Sequence, residues 1–166
     1  DRISADHAIL NDEDASRDGD KVLLVVQDAY SKWIQSYLAQ TKSSDEVVKA
    51  LKTFLGPQTT AKHAYSDNAG ELSKAFDELG ILHDTSTPHR SETNGVIERA
   101  VRRVKEGTRT SLIQSGLNYE WWEQATKCYC FLRNVVDVHV CGNTSWKQRF
   151  GEDCKGLIIP FGAECK

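Results

Sequence analysis

A short, uninterrupted apolar segment, residues 22–26, sets the architecture open to this chain. Such a run is typical of a strand that is covered on both faces. Residues 2–10 alternate between apolar and polar side chains, and residues 33–38 form a third strand candidate. Because the connections between the three are short, the sequence predicts an antiparallel meander.

The hydrophobic period changes after this meander. Ser43 precedes a predicted capped helix that ends before Gly56-Pro57. Further along, the pattern predicts strands over 61–66 and 81–84, helices over 72–79, 96–115 and 119–136, and a loop over 85–95. The tail from residue 142 has no clear period, and no segment repeats. We therefore expect one mixed α/β domain.

The composition is that of an ordinary globular domain, with 39% hydrophobic and 27% charged residues. No apolar run approaches the roughly 18 residues that cross a bilayer, and no signal peptide is recognisable. The five cysteines lack a C-x-x-C spacing, which favours buried free thiols over a zinc site. The chain contains no Met and opens on Asp1, so we expect a piece of a longer polypeptide.

Charge is distributed unevenly along the chain, whose net charge is −3. Residues 1–20 contain seven acids and two arginines, whereas residues 90–109 contain six cations and three acids. A local basic surface can bind a polyanion even when the whole chain is mildly acidic. The second region is therefore a candidate nucleic-acid surface.

Three separated carboxylates are candidates for chemistry. Asp6 lies in mid-strand, where Asp is disfavoured and a lone buried carboxylate is costly, so a functional role is favoured. Asp67 lies where a strand ends, a position that suits either a turn-forming Asp or a ligand site. Glu98 begins a polar edge that continues through Arg102, Lys105 and Arg109 at helical spacing.

That polar edge has two interpretations. It is either a salt-bridged solvent face or a metal ligand beside a phosphate track, and spacing alone does not choose between them. If the three carboxylates converge, they could hold two divalent cations about 3.5–4 Å apart. Hard oxygen ligands of this kind suit Mg²⁺.

Several motifs, taken in order, resemble the catalytic cores of retroviral and retrotransposon integrases, most closely the copia type. The resemblance lies in Ala-Asp-His around Asp6, the string at 25–33, Ser-Asp-Asn-Ala-Gly-Glu at 66–71, and the run from Thr87 to Arg99 that contains Asn-Gly-Val-Ile-Glu. The segments 116–134, 143–151 and 160–162 are also similar to that family. Together these motifs span nearly the whole chain.

The resemblance implies a ribonuclease-H-like fold with a mixed five-stranded sheet, three strands antiparallel and two parallel. It implies a catalytic core over residues 1–140 and a C-terminal extension over 141–166. It also implies a catalytic triad of Asp6, Asp67 and Glu98 that binds two Mg²⁺ or Mn²⁺ ions. Asp28, which competes for the place of first ligand, is expected to be structural because it marks the turn after the second strand.

The same resemblance implies DNA 3′-end processing and strand transfer by a homo-oligomer that acts on element ends and target DNA. By the same resemblance, the residues expected to contact DNA are Arg102, Lys105, Arg109, Asn94 and Arg90. The expected location is the nucleus, after a cytoplasmic particle stage, with no part in the membrane. Two alternatives remain at this point: another ribonuclease-H-like nuclease, which needs a fourth acid, and a non-catalytic DNA-binding or assembly module.

Overall fold

The computed structural model describes residues 2–10, 19–57, 59–85 and 91–164, with the backbone alone for 91–94. Along the chain the strands and helices are β1 (Arg2–Ile9), β2 (Val22–Asp28), β3 (Ile34–Ala39), α1 (Ser44–Leu55), β4 (His63–Ser66), α2 (Gly70–Glu78), β5 (Leu82–Thr85), α3 (Ser91–Ser115), α4 (Trp122–Val136) and α5 (Ser145–Phe150). A single turn of 3-10 helix, Tyr119–Trp121, leads into α4.

The strands form one five-stranded sheet in the order β3-β2-β1-β4-β5. The β1–β2 and β2–β3 pairs are antiparallel, whereas β1–β4 and β4–β5 are parallel. This is the mixed sheet that the sequence predicts, with β1 at its centre. The side chains of β2 are buried on both faces from Val22 to Val26, which confirms the interpretation of the apolar run.

Two apolar layers cover the two faces of the sheet. One face, which carries Ile3 and Ala5 of β1, packs against α1 and α2. The other face, which carries Leu23 and Val25 of β2, packs against α3 and α4. Because alternate residues of a strand point to opposite faces, neighbours in β1 belong to different layers. That alternation decides where each polar side chain of β1 is presented.

Side-chain hydrogen bonds to the backbone begin one helix and fasten another to the sheet. The Ser43 hydroxyl accepts a hydrogen bond from the Glu46 N–H at 3.3 Å, as expected of a helix cap before α1. Asn134 of α4 bonds both backbone groups of Ile34, at 3.0 and 2.8 Å. The amide side chain thereby fastens α4 to β3, at the edge of the sheet.

The structure corrects the sequence interpretation at two places. Helix α3 begins at Ser91, so residues 91–95 are helical rather than part of the predicted loop, and residues 86–90 lie outside the described part. Asn94 and Gly95 are weak helix formers, which is why the pattern suggested a later start. A short helix, α5, also occupies the tail, where its cap is a bond from the Lys147 N–H to the Thr144 hydroxyl.

Among the described helices, none combines the length and the apolar character needed to cross a membrane. The four described cysteines, at positions 128, 130, 141 and 154, are free. Burial raises the pKa of the Cys130 thiol to about 11, which keeps it protonated and unreactive at neutral pH.

Candidate active site

The site begins with Asp6 in the middle of the central strand. Asp6 pairs with Val25 of β2, and its neighbours Ala5 and His7 point to the opposite face. Its carboxylate therefore faces the layer formed by α3 and α4. The predicted placement of Asp6, within a strand and opposite the apolar side, is confirmed.

Glu98 and Asp6 line the same groove. Helix α3 directs its apolar stripe into the sheet, since Ile97, Val101 and Val104 are buried. Glu98 lies on the edge of this stripe and is exposed. The groove has a volume of about 400 Å³. Its lining consists of Asp6, Ala8, Glu98, Val101, Arg102, Lys105, Glu106 and Arg109.

Asp67 approaches from the neighbouring strand. It follows directly after β4, which is parallel to β1, and its side chain is exposed. One carboxylate oxygen, Oδ1, accepts a hydrogen bond from the Ala69 N–H at 3.4 Å, so Asp67 also stabilises the turn into α2. The turn-forming interpretation of Asp67 is thus confirmed, and its role as a ligand stays a prediction.

Electrostatics connect the three carboxylates. The pKa of Asp6 is raised from 3.8 to about 6. Burial is the largest cause and the negative charge of Asp67 is the second; Glu98 raises the pKa further. A hydrogen bond from the His7 backbone and the charge of Lys42 act in the opposite direction without cancelling the shift. Asp6 therefore lies within the electrostatic field of both other acids.

The three acids are near one another without forming a finished metal site. Within residues 2–10, 19–57, 59–85 and 91–164, no three Asp, Glu, His or Cys side chains are grouped closely enough to hold a metal ion. Carboxylates without a cation between them repel one another, and this repulsion adds to burial, the larger cause, in raising the pKa of Asp6. The donor set fits Mg²⁺ in chemistry, being all carboxylate oxygen, but binding would require the side chains to move closer together.

Asp28 has a different environment from Asp6. It pairs with Ile3, three residues along β1 from Asp6, or about 10 Å away. Its Oδ2 accepts bonds from the Ser31 N–H at 2.7 Å and from the Ser31 hydroxyl at 2.6 Å. These bonds close the turn between β2 and β3, the structural role expected of Asp28.

A fourth acid, Glu71, lies near β1 but is associated with the other face of that strand. Its Oε1 is 3.7 Å from Nδ1 of His7, which has no hydrogen-bond partner. The His7 side chain is 5% exposed and points away from Asp6, and burial is the main cause of its lowered pKa. Glu71 is not among the charges that shift the pKa of Asp6. Glu71 is therefore paired with His7 rather than with Asp6.

The cations predicted for DNA are distributed over the same region. Arg102, Lys105 and Arg109 all line the groove of Asp6 and Glu98. Arg102 Nε lies 4.0 Å from Glu106 Oε1, and both side chains are 72% exposed, so this pair is weak. Asn94 belongs to the first turns of α3, where only the backbone is described, and Arg90 lies outside the described residues.

Sequence reasoning missed a second group of polar side chains on the other face of the sheet. His83 of β5 lies between two serines, with Nε2 2.7 Å from Ser66 Oγ and Nδ1 3.3 Å from Ser73 Oγ. Ser66, at the end of β4, donates in turn to the Asp67 carbonyl at 2.8 Å. The parallel β4–β5 pairing creates this group, and no local sequence pattern indicates it.

Solved structures share this arrangement of strands and helices. The HTLV-2 integrase catalytic core domain, solved with magnesium in a trimeric form, matches 89% of this chain and 94% of its own, with TM-score 0.65 and 19% identity. The catalytic core domain of BIV integrase matches 88% of this chain and 91% of its own, with TM-score 0.63 and 18% identity. The fold is therefore the ribonuclease-H-like fold of integrase cores.

Sequence relatives identify the lineage. The chain is 32% identical over 129 residues to the retrovirus-related Pol polyprotein from transposon TNT 1-94 of Nicotiana tabacum. It is 31% identical over 125 residues to that from transposon RE1 of Arabidopsis thaliana. Each alignment covers 72% of this chain, but only 10% and 8% of the respective polyprotein. No protein-family model matches the chain.

These similarities identify the chain as an integrase-type core domain by fold. It is homologous to a segment of the Pol polyproteins of copia-type retrotransposons. The sequence resemblance is thereby confirmed at the level of family and fold. The chain spans about one tenth of the length of the curated relatives it matches.

Proposed function

We propose that this domain catalyses metal-dependent 3′-end processing of DNA and strand transfer into target DNA, as the core of a retrotransposon integrase. The observation that carries the proposal is the environment of Asp6. Its carboxyl group lies within the field of Asp67 and Glu98, and it shares a groove with Glu98 and three cations. Acids that repel one another beside a cationic track suit a site for divalent metal ions and phosphate.

In this proposal Asp6, Asp67 and Glu98 hold two Mg²⁺ or Mn²⁺ ions. Bound there, the ions would activate water or a DNA 3′-hydroxyl and stabilise the leaving oxygen of an in-line displacement. The strand β1 supplies a rigid position for Asp6, and α3 carries Glu98 on a helix whose buried face is fixed in the core. The magnesium in the HTLV-2 core structure supports the choice of ion.

The cations of α3 would bind the DNA backbone. Arg102, Lys105 and Arg109 continue from Glu98 along one edge of the helix, so phosphates could follow the groove away from the reacting bond. We propose that Asn94 and Arg90 also contact DNA, on the basis of the sequence motif to which they belong. A homo-oligomer would bring two such sites to two element ends, and the simian T-cell lymphotropic virus intasome, matched with TM-score 0.70, is an assembly of a related fold.

The decisive test is a Glu98→Gln variant in a strand-transfer assay. Short DNA duplexes with a mixture of end sequences would be incubated with supercoiled plasmid and Mg²⁺, and joined products counted. We expect wild-type protein to join ends and Glu98→Gln to lose at least about 100-fold in rate, because a neutral amide is a much poorer Mg²⁺ ligand. Glu78→Gln, an exposed change of the same kind at the end of α2, serves as control.

The outcomes separate the alternatives. Joining by Glu98→Gln at the wild-type rate would refute the assignment of the triad. A wild-type protein that binds the duplexes but joins none in either metal would instead be the non-catalytic DNA-binding module. Cleavage of RNA–DNA hybrids in place of DNA joining would favour the other nuclease.

A further inference from the structure

A directional chain of hydrogen bonds runs through His83 to the backbone of Asp67. Ser66 is fully buried, and its hydroxyl donates to the Asp67 carbonyl at 2.8 Å. The same oxygen lies 2.7 Å from His83 Nε2, and the other ring nitrogen, Nδ1, lies 3.3 Å from Ser73 Oγ. The chain thus joins α2 and β5 to the residue that follows β4.

Counting protons fixes the direction of each bond. A serine hydroxyl has one proton, and that of Ser66 is given to Asp67, so Ser66 must accept from His83. Nε2 of His83 therefore carries a proton, which in a neutral ring leaves Nδ1 as an acceptor for Ser73. All three bonds then point the same way, and bonds in such a series strengthen one another. Burial, the largest influence on its pKa, lowers the pKa of His83 and favours the neutral ring.

Packing holds the imidazole in this orientation. The His83 ring lies 4.9 Å from the ring of Phe76, between centroids, and Phe76 is completely buried in α2. The ring is part-buried, and the contact with Phe76 and the two serine bonds hold it in this orientation. Asp67 itself is exposed and has one weak bond from Ala69 at 3.4 Å. The Ser66 hydroxyl bond to its carbonyl is therefore a restraint on the backbone of Asp67 that its own side chain does not supply.

We propose that His83 is a positioning residue for the Asp67 carboxylate. His83 holds the Ser66 hydroxyl, and the Ser66 hydroxyl holds the Asp67 carbonyl. A fixed carbonyl fixes the backbone of Asp67 and therefore the direction in which its side chain points. This inference depends on the proposed function, because it assigns Asp67 a metal to bind. His83 touches neither substrate nor metal in this arrangement. Its contribution is to orient the Asp67 carboxylate before a metal ion binds, so that the side chain need not reorient on binding.

The first experiment determines the proton position in the free protein. Nitrogen-15 NMR of the histidine rings at neutral pH distinguishes the two neutral tautomers. We expect His83 to carry its proton on Nε2. A proton on Nδ1 with none on Nε2 would overturn the proposal, because the Ser66 hydroxyl would then lack the donor that the chain of bonds requires.

The second experiment measures Mn²⁺ binding by the electron paramagnetic resonance of the free ion, with no DNA present. His83→Gln places an amide N–H near the position of Nε2, whereas His83→Asn places it near Nδ1. We expect His83→Asn to bind Mn²⁺ roughly tenfold more weakly and His83→Gln to bind within about twofold of wild type. His63→Asn, an exposed change at the start of β4, controls for the loss of a histidine.

Two results would contradict the positioning role of His83. Equal binding by wild type, His83→Gln and His83→Asn would overturn the positioning role, and so would equal loss in both variants when circular dichroism shows both folded. Failure of strand transfer by wild type, with the tautomer and the difference between the two variants as expected, would refute the proposed function and leave the positioning role intact.

Discussion

Asp6 is a residue whose position opposes stability and, in the proposed function, binds metal. Burial and two neighbouring negative charges raise its pKa to about 6, whereas a metal ion binds the ionised form. In the metal-free protein, ionised Asp6 therefore weakens the folded state. Perturbed acids of this kind gather at functional sites, where the unfavourable charge is what attracts the cation.

We therefore expect Asp6→Asn to stabilise the metal-free protein at alkaline pH. The folded pKa of about 6 exceeds the unfolded value of 3.8, so the folded state holds a proton that the unfolded state releases between these values. The stability of wild type thus falls as pH rises through this window, and an uncharged Asn avoids the loss. With solvent screening considered, the gain above pH 6 is roughly 1–2 kcal/mol. Denaturant unfolding at about pH 8 and about pH 4, with chelator, measures it.

Asp28→Asn provides the contrast to that prediction. Asp28 accepts two bonds from Ser31, which close the turn between β2 and β3. Its replacement should lower the free energy of unfolding by roughly 1–2 kcal/mol, since charge-assisted bonds become weaker ones. If Asp6→Asn were destabilising at alkaline pH, or if both variants changed stability with the same sign, the assigned environments would be wrong.

At the residue scale, a role can be predicted from the sequence where it depends on neighbouring positions, but not where it depends on contacts between distant positions. Asp6 is recognisable because an acid within a strand violates strand preference, and Asp28 because a turn follows it directly. His83 carries no comparable signal, since Ser66 lies 17 positions earlier and meets it only through strand pairing. A residue whose role depends on sheet register is visible only once the sheet is assembled.

At the scale of elements, α3 packs tightly against α4 at a glycine. A Cβ atom built on Gly107 would overlap the ring of Tyr129 on α4. Helix interiors normally favour Ala over Gly by up to about 1 kcal/mol, but here the methyl group has no room. We expect Gly107→Ala to destabilise the protein by roughly 1–3 kcal/mol, measured by denaturant unfolding.

Two further variants test the cause. Gly95→Ala in the same helix, where nothing lies within 4 Å of the added atom, should be neutral or stabilising. In a double-mutant cycle, Tyr129→Ala should remove most of the cost of Gly107→Ala, since the obstructing ring is absent. A coupling energy near zero between Gly107→Ala and Tyr129→Ala would show that the Tyr129 ring does not obstruct the added methyl group.

The sequence predicts elements well where hydrophobic period and capping agree. The segments of β1 and α1 show a clear period and that of β2 a continuous apolar run, and the structure reproduces all three within a few residues. The start of α3 was placed late because Asn94 and Gly95 suggest a break. Helix α5 is only six residues long, too short for a period, and aromatic packing of Trp146 on Trp33 holds it, with ring centroids 5.9 Å apart.

At the scale of the whole molecule, the sheet separates two surfaces with different tasks. The layer of α1 and α2 buries the larger apolar cluster and contains the His83 chain behind Asp67. The layer of α3 and α4 presents Asp6 and Glu98 together with the three cations that line the same groove. A protein with a net charge of −3 can therefore offer DNA a local basic surface while the rest of the molecule repels it.

This segregation predicts how DNA affinity responds to salt. A cation that neutralises a phosphate releases a counterion and adds about 0.9 to the slope of log affinity against log salt concentration. Because Lys105 lines the groove, Lys105→Gln should reduce the magnitude of the slope by about 0.9, measured by fluorescence anisotropy of labelled duplex DNA without divalent ions. Lys52→Gln, exposed on α1 in the other layer, should leave it unchanged. Equal slopes for wild type and Lys105→Gln would place the DNA elsewhere on the molecule, whatever the affinities, because a phosphate contact cannot be lost without its counterion.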